Sequence, residues 1–226
     1  MRTYYAGGTI GDAYVILCKL YPIAKRERIL CSHHTAYKEL EPVIREIYSL
    51  LPNVKVEFRE FKSPTVEICG AFCFPEKEKE QAEYGLEPEY YPRFELESIE
   101  YFSLPESYEV LQTIAGIRQH RRLDMREVKE ILDNSKSPVV LIGENDIRFP
   151  TGNYEVVDAR GKNSIKEDVN IIRGSKHFYG PHGFLSFVAV SQKVLSTVFL
   201  KSQTCVNGIR ARIEAVEQWR RFLIKR

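Results

Sequence analysis

Three short segments of this chain carry residue types whose spacing suits chemistry on a phosphorylated or hydroxylic ligand. The first is Gly7-Gly8-Thr9-Ile10-Gly11-Asp12. Glycines let a backbone turn tightly and approach a ligand, and a helix starting there offers unpaired N–H groups and the positive end of its dipole. Asp12 falls at the start of that helix, where a carboxylate can serve as a cap or as a chemical group. The pattern is not G-x-G-x-x-G, and it lacks the lysine of a nucleoside-triphosphate loop.

The second segment is Arg118-Gln119-His120-Arg121-Arg122, directly after an apolar run. Three guanidiniums in five residues suit phosphate oxygens, because each planar fork donates two parallel hydrogen bonds; a solvated basic turn is the plainer reading. The third is Tyr179-Gly180-Pro181-His182-Gly183, again a strand, a glycine turn and a helix start. Its amides suit an anion, and His182 suits a phosphate or a sugar oxygen, against the alternative of a surface turn histidine. His33-His34 lack a third ligand, and Cys69 and Cys73 lack the second Cys/His pair that would complete a zinc site, so no metal ligands are assigned. Nothing matches G-x-S-x-G or H-E-x-x-H.

The elements that must hold these segments alternate between strand and helix, the signature of βαβ units on a parallel sheet. Residues 3–6 predict a first strand, 7–11 a glycine loop, and 12–20 a helix with Ala13, Ile16, Leu17 and Leu20 on one face. Strands over 28–31 and 54–58 bracket a helix over 36–51. Residues 75–107 are rich in Glu, Tyr and Pro, show no sustained period, and read as a linker or surface excursion. The alternation then resumes: strand 108–115, helix 125–134 with Asp124 and Glu127 at capping-box spacing, and a buried strand within 137–143 ending in Gly143. A strand at 154–158, helix 165–173, strand 176–179, helix 183–191 and a last strand at 194–199 follow. Residues 208–225 predict a terminal helix whose Ile209, Ile213, Val216, Trp219 and Leu223 form a core stripe.

Composition bounds the partners. The 226 residues are 43% apolar, and 33 Lys+Arg against 31 Asp+Glu leave a net charge of only +2. That excludes a global basic field for nucleic acid or anionic membrane, while the local Arg118–Arg122 and C-terminal basic clusters keep a nucleic-acid acceptor open. No apolar run is long enough for a membrane span and no signal-peptide pattern opens the chain, so a cytoplasmic protein is expected. Five scattered cysteines read as buried or incidental thiols.

Laid in order, these motifs resemble a shortened member of the ADP-heptose:lipopolysaccharide heptosyltransferase-like glycosyltransferases, glycosyltransferase family 9. The family's G-x-I-G-D turn is matched by Gly8-Thr9-Ile10-Gly11-Asp12. Its D-x-x-G-K-x-S-L segment is matched by Asp158-Ala159-Arg160-Gly161-Lys162-Asn163-Ser164-Ile165. Its closing G-x-D-[ST]-G turn is similar to Gly180-Pro181-His182-Gly183, with the family aspartate replaced by Pro181 or His182. The family histidine one turn later corresponds to Ser186, and a family lysine to Arg121 or Arg122. The resemblance covers about residues 1–60 and 105–200.

What the resemblance implies is an α/β, GT-B-like fold of two compact Rossmann-like domains facing a cleft, roughly 1–104 on the acceptor side and 105–226 on the donor side. It implies a glycosyltransferase that moves a sugar from a nucleotide-activated donor to an acceptor hydroxyl by metal-independent displacement. Asp12 is then the general base, and Gly8, Thr9 and Gly11 form an acceptor-side loop. Arg118, Arg121, Arg122, Gly143, Lys162, Asn163, His182 and Gly183 hold the donor. The nucleotide-sugar is a substrate, no further cofactor is expected, and the acceptor (a glycan, a small molecule or nucleic acid) and the oligomeric state stay open. The rival readings are an epimerase or hydrolase of nucleotide-sugars and an inactive nucleotide-binding protein of the same fold.

Overall fold

A computed structural model describes residues 1–60, 104–115, 121–144 and 152–200, together with the backbone of a final strand at Phe222–Lys225. Arg118, Cys69, Cys73 and Cys205, the expected excursion up to residue 103, and residues 201–221 lie outside the described residues. The chain divides into two compact units, Met1–Leu96 and Glu97–Arg226.

In the first unit, β1 (Arg2–Gly7), β2 (Ile29–His34) and β3 (Val54–Phe58) form a parallel sheet in the order β1-β2-β3. Tyr4 and Ala6 point inward while Thr3 and Tyr5 are exposed, the period-two alternation of a strand with one covered face. The crossovers are α1 (Ile10–Ala24) and α2 (Glu41–Ser49), which pack on each other. Every residue from Ala13 to Leu20 is buried, Lys19 included, so α1 runs through the interior of its unit.

Two boundaries differ from expectation for backbone reasons. The helix expected from residue 12 begins at Ile10 with Thr9 as its N-cap, which places Gly11 and Asp12 inside the first turn. It also passes Leu20 and Pro22 to end at Ala24, because a proline lacks only its own N–H bond and Lys25 closes the last turn on the Tyr21 carbonyl. The helix expected over 36–51 divides into a 3₁₀ turn at Lys38–Leu40 and α2, since Pro42 has no N–H to continue an α-helix from residue 38 and suits a helix's first turn.

The second unit has six parallel strands: β4 (Glu109–Gln112), β5 (Val139–Ile142), β6 (Val156–Asp158), β7 (His177–Pro181), β8 (Leu195–Phe199) and β9 (Phe222–Lys225). Their order is β6-β5-β4-β7-β8-β9. Numbered within the unit this is 3-2-1-4-5-6, the doubly wound dinucleotide-fold order, and it reverses direction between β4 and β7. The helices are α3 (Met125–Asn134), α4 (Ile165–Gly174) and α5 (Phe184–Ser191). Asp124 caps α3 as its spacing predicts: its Oδ1 accepts from the Arg126 and Glu127 amides, and Glu127 accepts from the Asp124 amide.

The core between α3 and the sheet joins Leu111, Leu123, Val128, Ile131, Leu141 and Phe199, with Tyr179 packed against it. Helix α5 is buried from Leu185 to Ser191, so it needs no amphipathic stripe.

The strand expected over 108–115 ends at Gln112. Beyond it Ile114 pairs antiparallel with Arg122, the Ala115 amide donates to the Arg121 carbonyl, and the Leu123 amide donates to the Thr113 carbonyl. The helix expected to run to residue 225 is overturned at its end: Phe222–Lys225 is a strand paired with β8, and 194–199 is therefore not the last strand. Three apolar residues and a lysine are too short to show a distinguishing period, and pairing with β8 decides their conformation.

Candidate functional site

The carboxyl ends of β4 and β7 diverge at the point where the sheet order reverses, which is where open α/β sheets bind ligands. Two of the three predicted segments meet there, the first lying in the other unit. Gln112 ends β4 and Thr113 follows it, with the returning stem at Arg121 beside them; Gly180 and Pro181 end β7, His182 follows, and Gly183 caps α5. Gly143 ends the neighbouring β5 with φ +84°, a left-handed conformation that favours glycine, and a Cβ there would lie 3.4 Å from Gln112 Cγ.

Gln112 and Thr113 are the residues that motif reading passes over. Both are buried, at 5% and 1% exposure. The Gln112 amide nitrogen donates to the Ile114 carbonyl at 2.7 Å, but among the described residues its Oε1 has no hydrogen-bond partner, nor have Thr113 Oγ1 and Arg121 Nε. Buried polar atoms are paired in the great majority of native structures, so three orphans at one strand end mark a place shaped for a polar ligand. The available signal is the polar pair Gln-Thr directly after the apolar Val110-Leu111.

His182 is not a surface turn residue. It is 4% exposed, its ring meets Phe187 edge-to-face at 5.2 Å, and its amide donates to the Phe199 carbonyl. The Gly183 amide donates to Ser186 Oγ at 3.1 Å while that hydroxyl donates back to the Gly183 carbonyl at 2.7 Å. The residue standing where the resemblance places a histidine therefore closes the first turn of α5. Arg122 is exposed, and Arg121 is half-buried.

Lys162 and Asn163 sit on the loop after β6, two strands from the switch point. Lys162 Nζ donates to the Asp158 carbonyl at 2.7 Å, and Asn163 Nδ2 to Asp168 at 2.9 Å. Buried Arg160 grips Asp158 through Nε and Nη2 at 2.9 and 2.8 Å, a bidentate pair that holds the Asp158 carboxyl below its usual range. The loop is tied to the end of β5 by the Gly161 amide, which donates to the Gly143 carbonyl.

In the first unit, Gly8 has φ +125°, and a Cβ there would fall 2.5–2.7 Å from the Asp12 side chain. Only glycine fits. Asp12 Oδ2 accepts from the Thr9 amide at 2.9 Å and the Thr9 hydroxyl at 3.1 Å, so its carboxylate helps close the start of α1 from the third helical position. Beneath the turn lies His33, fully buried, with Nδ1 3.1 Å from the Tyr48 hydroxyl and Nε2 3.3 Å from the Gly8 carbonyl. Burial lowers its pKa to about 4. Among the described residues no group of three or more His, Cys, Asp or Glu is arranged to hold a metal ion, and no helix is long and apolar enough to cross a membrane.

No protein-family model matches the chain, and no curated protein matches it. Solved structures do. The Escherichia coli heptosyltransferase WaaC with ADP aligns at TM-score 0.57 and 12% identity, covering 97% of this chain and 99% of that one. The glycosyl transferase family 9 protein from Veillonella parvula aligns at TM-score 0.56 and 9% identity, covering 89% and 82%. The iron-containing dodecameric glycosyltransferase TibC from enterotoxigenic Escherichia coli aligns at TM-score 0.54 and 17% identity; the match covers 87% of this chain but only 57% of TibC. At these identities the likeness is one of fold: the chain has the α/β fold of the heptosyltransferase-like GT-B glycosyltransferases.

Proposed function

We propose that the protein is a glycosyltransferase that moves a sugar from a nucleoside-diphosphate donor to an acceptor hydroxyl. The observation that carries this reading is the set of buried polar atoms on Gln112, Thr113 and Arg121, without a partner among the described residues, at the switch point of a 3-2-1-4-5-6 sheet. Thr113, Gln112 and the arginines would take the donor's phosphates, with the start of α5 nearby. The neighbour solved with ADP-D-beta-D-heptose supports an ADP-sugar as the first donor to try, and its dodecameric state supports testing for an oligomer.

In the reaction the acceptor oxygen attacks the anomeric carbon as the bond from that carbon to the diphosphate oxygen breaks. Asp12 takes the hydroxyl proton, and the nucleoside diphosphate leaves with the bonding electrons. Guanidiniums and helix amides stabilise the charge on the departing oxygen, so no step is routed through a metal. A general base contributes ~10²–10⁴-fold, so Asp12→Asn should lose turnover on that scale while keeping donor affinity.

A second reading is favoured by one observation. Asp12 already closes the α1 turn through Thr9, as a helix-capping carboxylate does without any chemistry. The protein would then bind the nucleotide and transfer nothing. A thermal-shift screen of nucleotide-sugars, followed by mass spectrometry of the products with and without acceptors, separates the cases. Glycosylated acceptor supports transfer, donor consumed without acceptor indicates a hydrolase or epimerase, and binding without turnover indicates the second reading. The absence of any nucleotide effect would sink the proposal.

A further inference from the structure

We infer that His33 is a positioning residue: from beneath the glycine turn its imidazole holds the Gly8–Thr9 peptide in the one orientation that aims the Thr9 amide at Asp12. This rests on the reading of Asp12 as the base, and it adds a residue that no motif contains.

The Gly8 carbonyl and the Thr9 amide belong to one planar peptide unit. The carbonyl end lies 3.3 Å from His33 Nε2, and the amide end donates to Asp12 Oδ2 at 2.9 Å. Rotating this peptide breaks both bonds together. Glycine at position 8, with φ +125°, makes such a rotation sterically cheap, so something outside the turn must choose the orientation.

The tautomer follows from the partners. A carbonyl only accepts, so Nε2 carries the ring proton; Nδ1 of the neutral ring is then an acceptor, and the Tyr48 hydroxyl donates to it. The thiol of Cys31 is the buried neighbour of the Tyr48 hydroxyl. Donation thus runs in one direction, from Tyr48 through His33 to Gly8. Cys31, His33 and Tyr48 have no solvent exposure, so water cannot replace a member. Burial keeps the ring neutral at working pH, with His34 and Arg59 acting in the same direction and the Gly8 hydrogen bond and the Asp12 charge opposing it. A histidine kept only to fill the core would be satisfied within it, whereas this one ends its chain on the backbone of the turn that carries Asp12.

The test uses the full-length protein and compares His33→Ala, His33→Gln, Tyr48→Phe and Asp12→Asn. Nitrogen-15 NMR of the wild type should show the Nε2–H tautomer at pH 7, and a mixture in Tyr48→Phe. In His33→Ala the Thr9 amide should exchange with solvent at least about tenfold faster while amides of α3 are unchanged. The same variant should lower kcat on the order of 10–100-fold with donor KM unchanged, and His33→Gln, which restores an N–H donor, should recover part of both effects. An Nδ1–H tautomer in the wild type, or unchanged Thr9 exchange in His33→Ala, overturns the inference. Full turnover in Asp12→Asn instead removes the base while leaving the tautomer and exchange results to decide the role of His33. If His33→Ala does not fold, Tyr48→Phe and His33→Gln give the same readouts.

Discussion

A Cβ on Gly183 would lie 2.6 Å from the Cβ of Ala115, so the start of α5 and the chain leaving β4 touch at the switch point of the sheet. The Gly183 backbone is extended, and the constraint is therefore space, not strain. Gly183→Ala should push the Ala115 stem away, costing about 1–3 kcal/mol, and weaken nucleoside-diphosphate binding. Adding Ala115→Gly should recover both, as read by thermal melts and calorimetry. A single variant with wild-type affinity would detach this contact from the ligand site.

The depressed pKa of His33 has a stability consequence with a definite sign. The unfolded imidazole titrates near 6.5 and the folded one near 4, because burial disfavours the charged ring. The unfolded state binds the extra proton between those values, so the contribution of His33 is complete above pH 6.5 and declines as pH falls toward 4, by ~3 kcal/mol at most. His177, its pKa also lowered by burial, acts in the same direction. His33→Gln should flatten the fall in urea midpoint between pH 6.5 and 4; a slope equal to wild type would contradict this assignment.

Arg160 is 5% exposed and its charge is matched by Asp158, whose side chain is half-exposed. Asp158→Ala leaves a buried guanidinium without its carboxylate and should cost about 1–3 kcal/mol, less than a fully buried pair because solvent reaches the acid. Arg160 holds the Asp158 pKa below 3.8, so this contribution is present above that value and is lost as pH falls through the lowered folded pKa. Circular-dichroism melts at pH 7 and pH 3 on wild type and variant should converge at the lower pH.

Cys18 and Cys31 are free and buried, and burial pushes Cys18 well above its ordinary pKa and Cys31 to about 12. Thiolate is the reactive form, so neither should be alkylated in the native protein while both label after denaturation. Mass-resolved labelling at Cys31 under native conditions would show that the Tyr48–His33 cluster opens to solvent.

Most elements were legible in the amino-acid pattern because the forces that set them are local. The helix at Met125–Asn134 and the strand at Val54–Phe58 occur where periodicity places them, and the Asp124–Glu127 box closes within four residues. Pro42 and Thr9 were equally local, and they moved the boundaries by rules of the backbone N–H. Phe222–Lys225 was not legible, since its strand state depends on the edge of β8, more than twenty residues earlier.

The sequence by itself determined the alternation of strands and helices, the glycine positions that only glycine can fill, and the order of motifs that points to the heptosyltransferase-like fold. Only the tertiary structure decided the strand order, because parallel pairing leaves no turn between partners from which adjacency can be read. That order brings Gln112, Thr113 and Arg121 to one end of the sheet beside His182 and Gly183. It also decided His33, whose partners Tyr48 and Gly8 lie 15 and 25 residues away. A neutral buried imidazole is defined by the donor and acceptor on either side of it, and the folded chain alone supplies both.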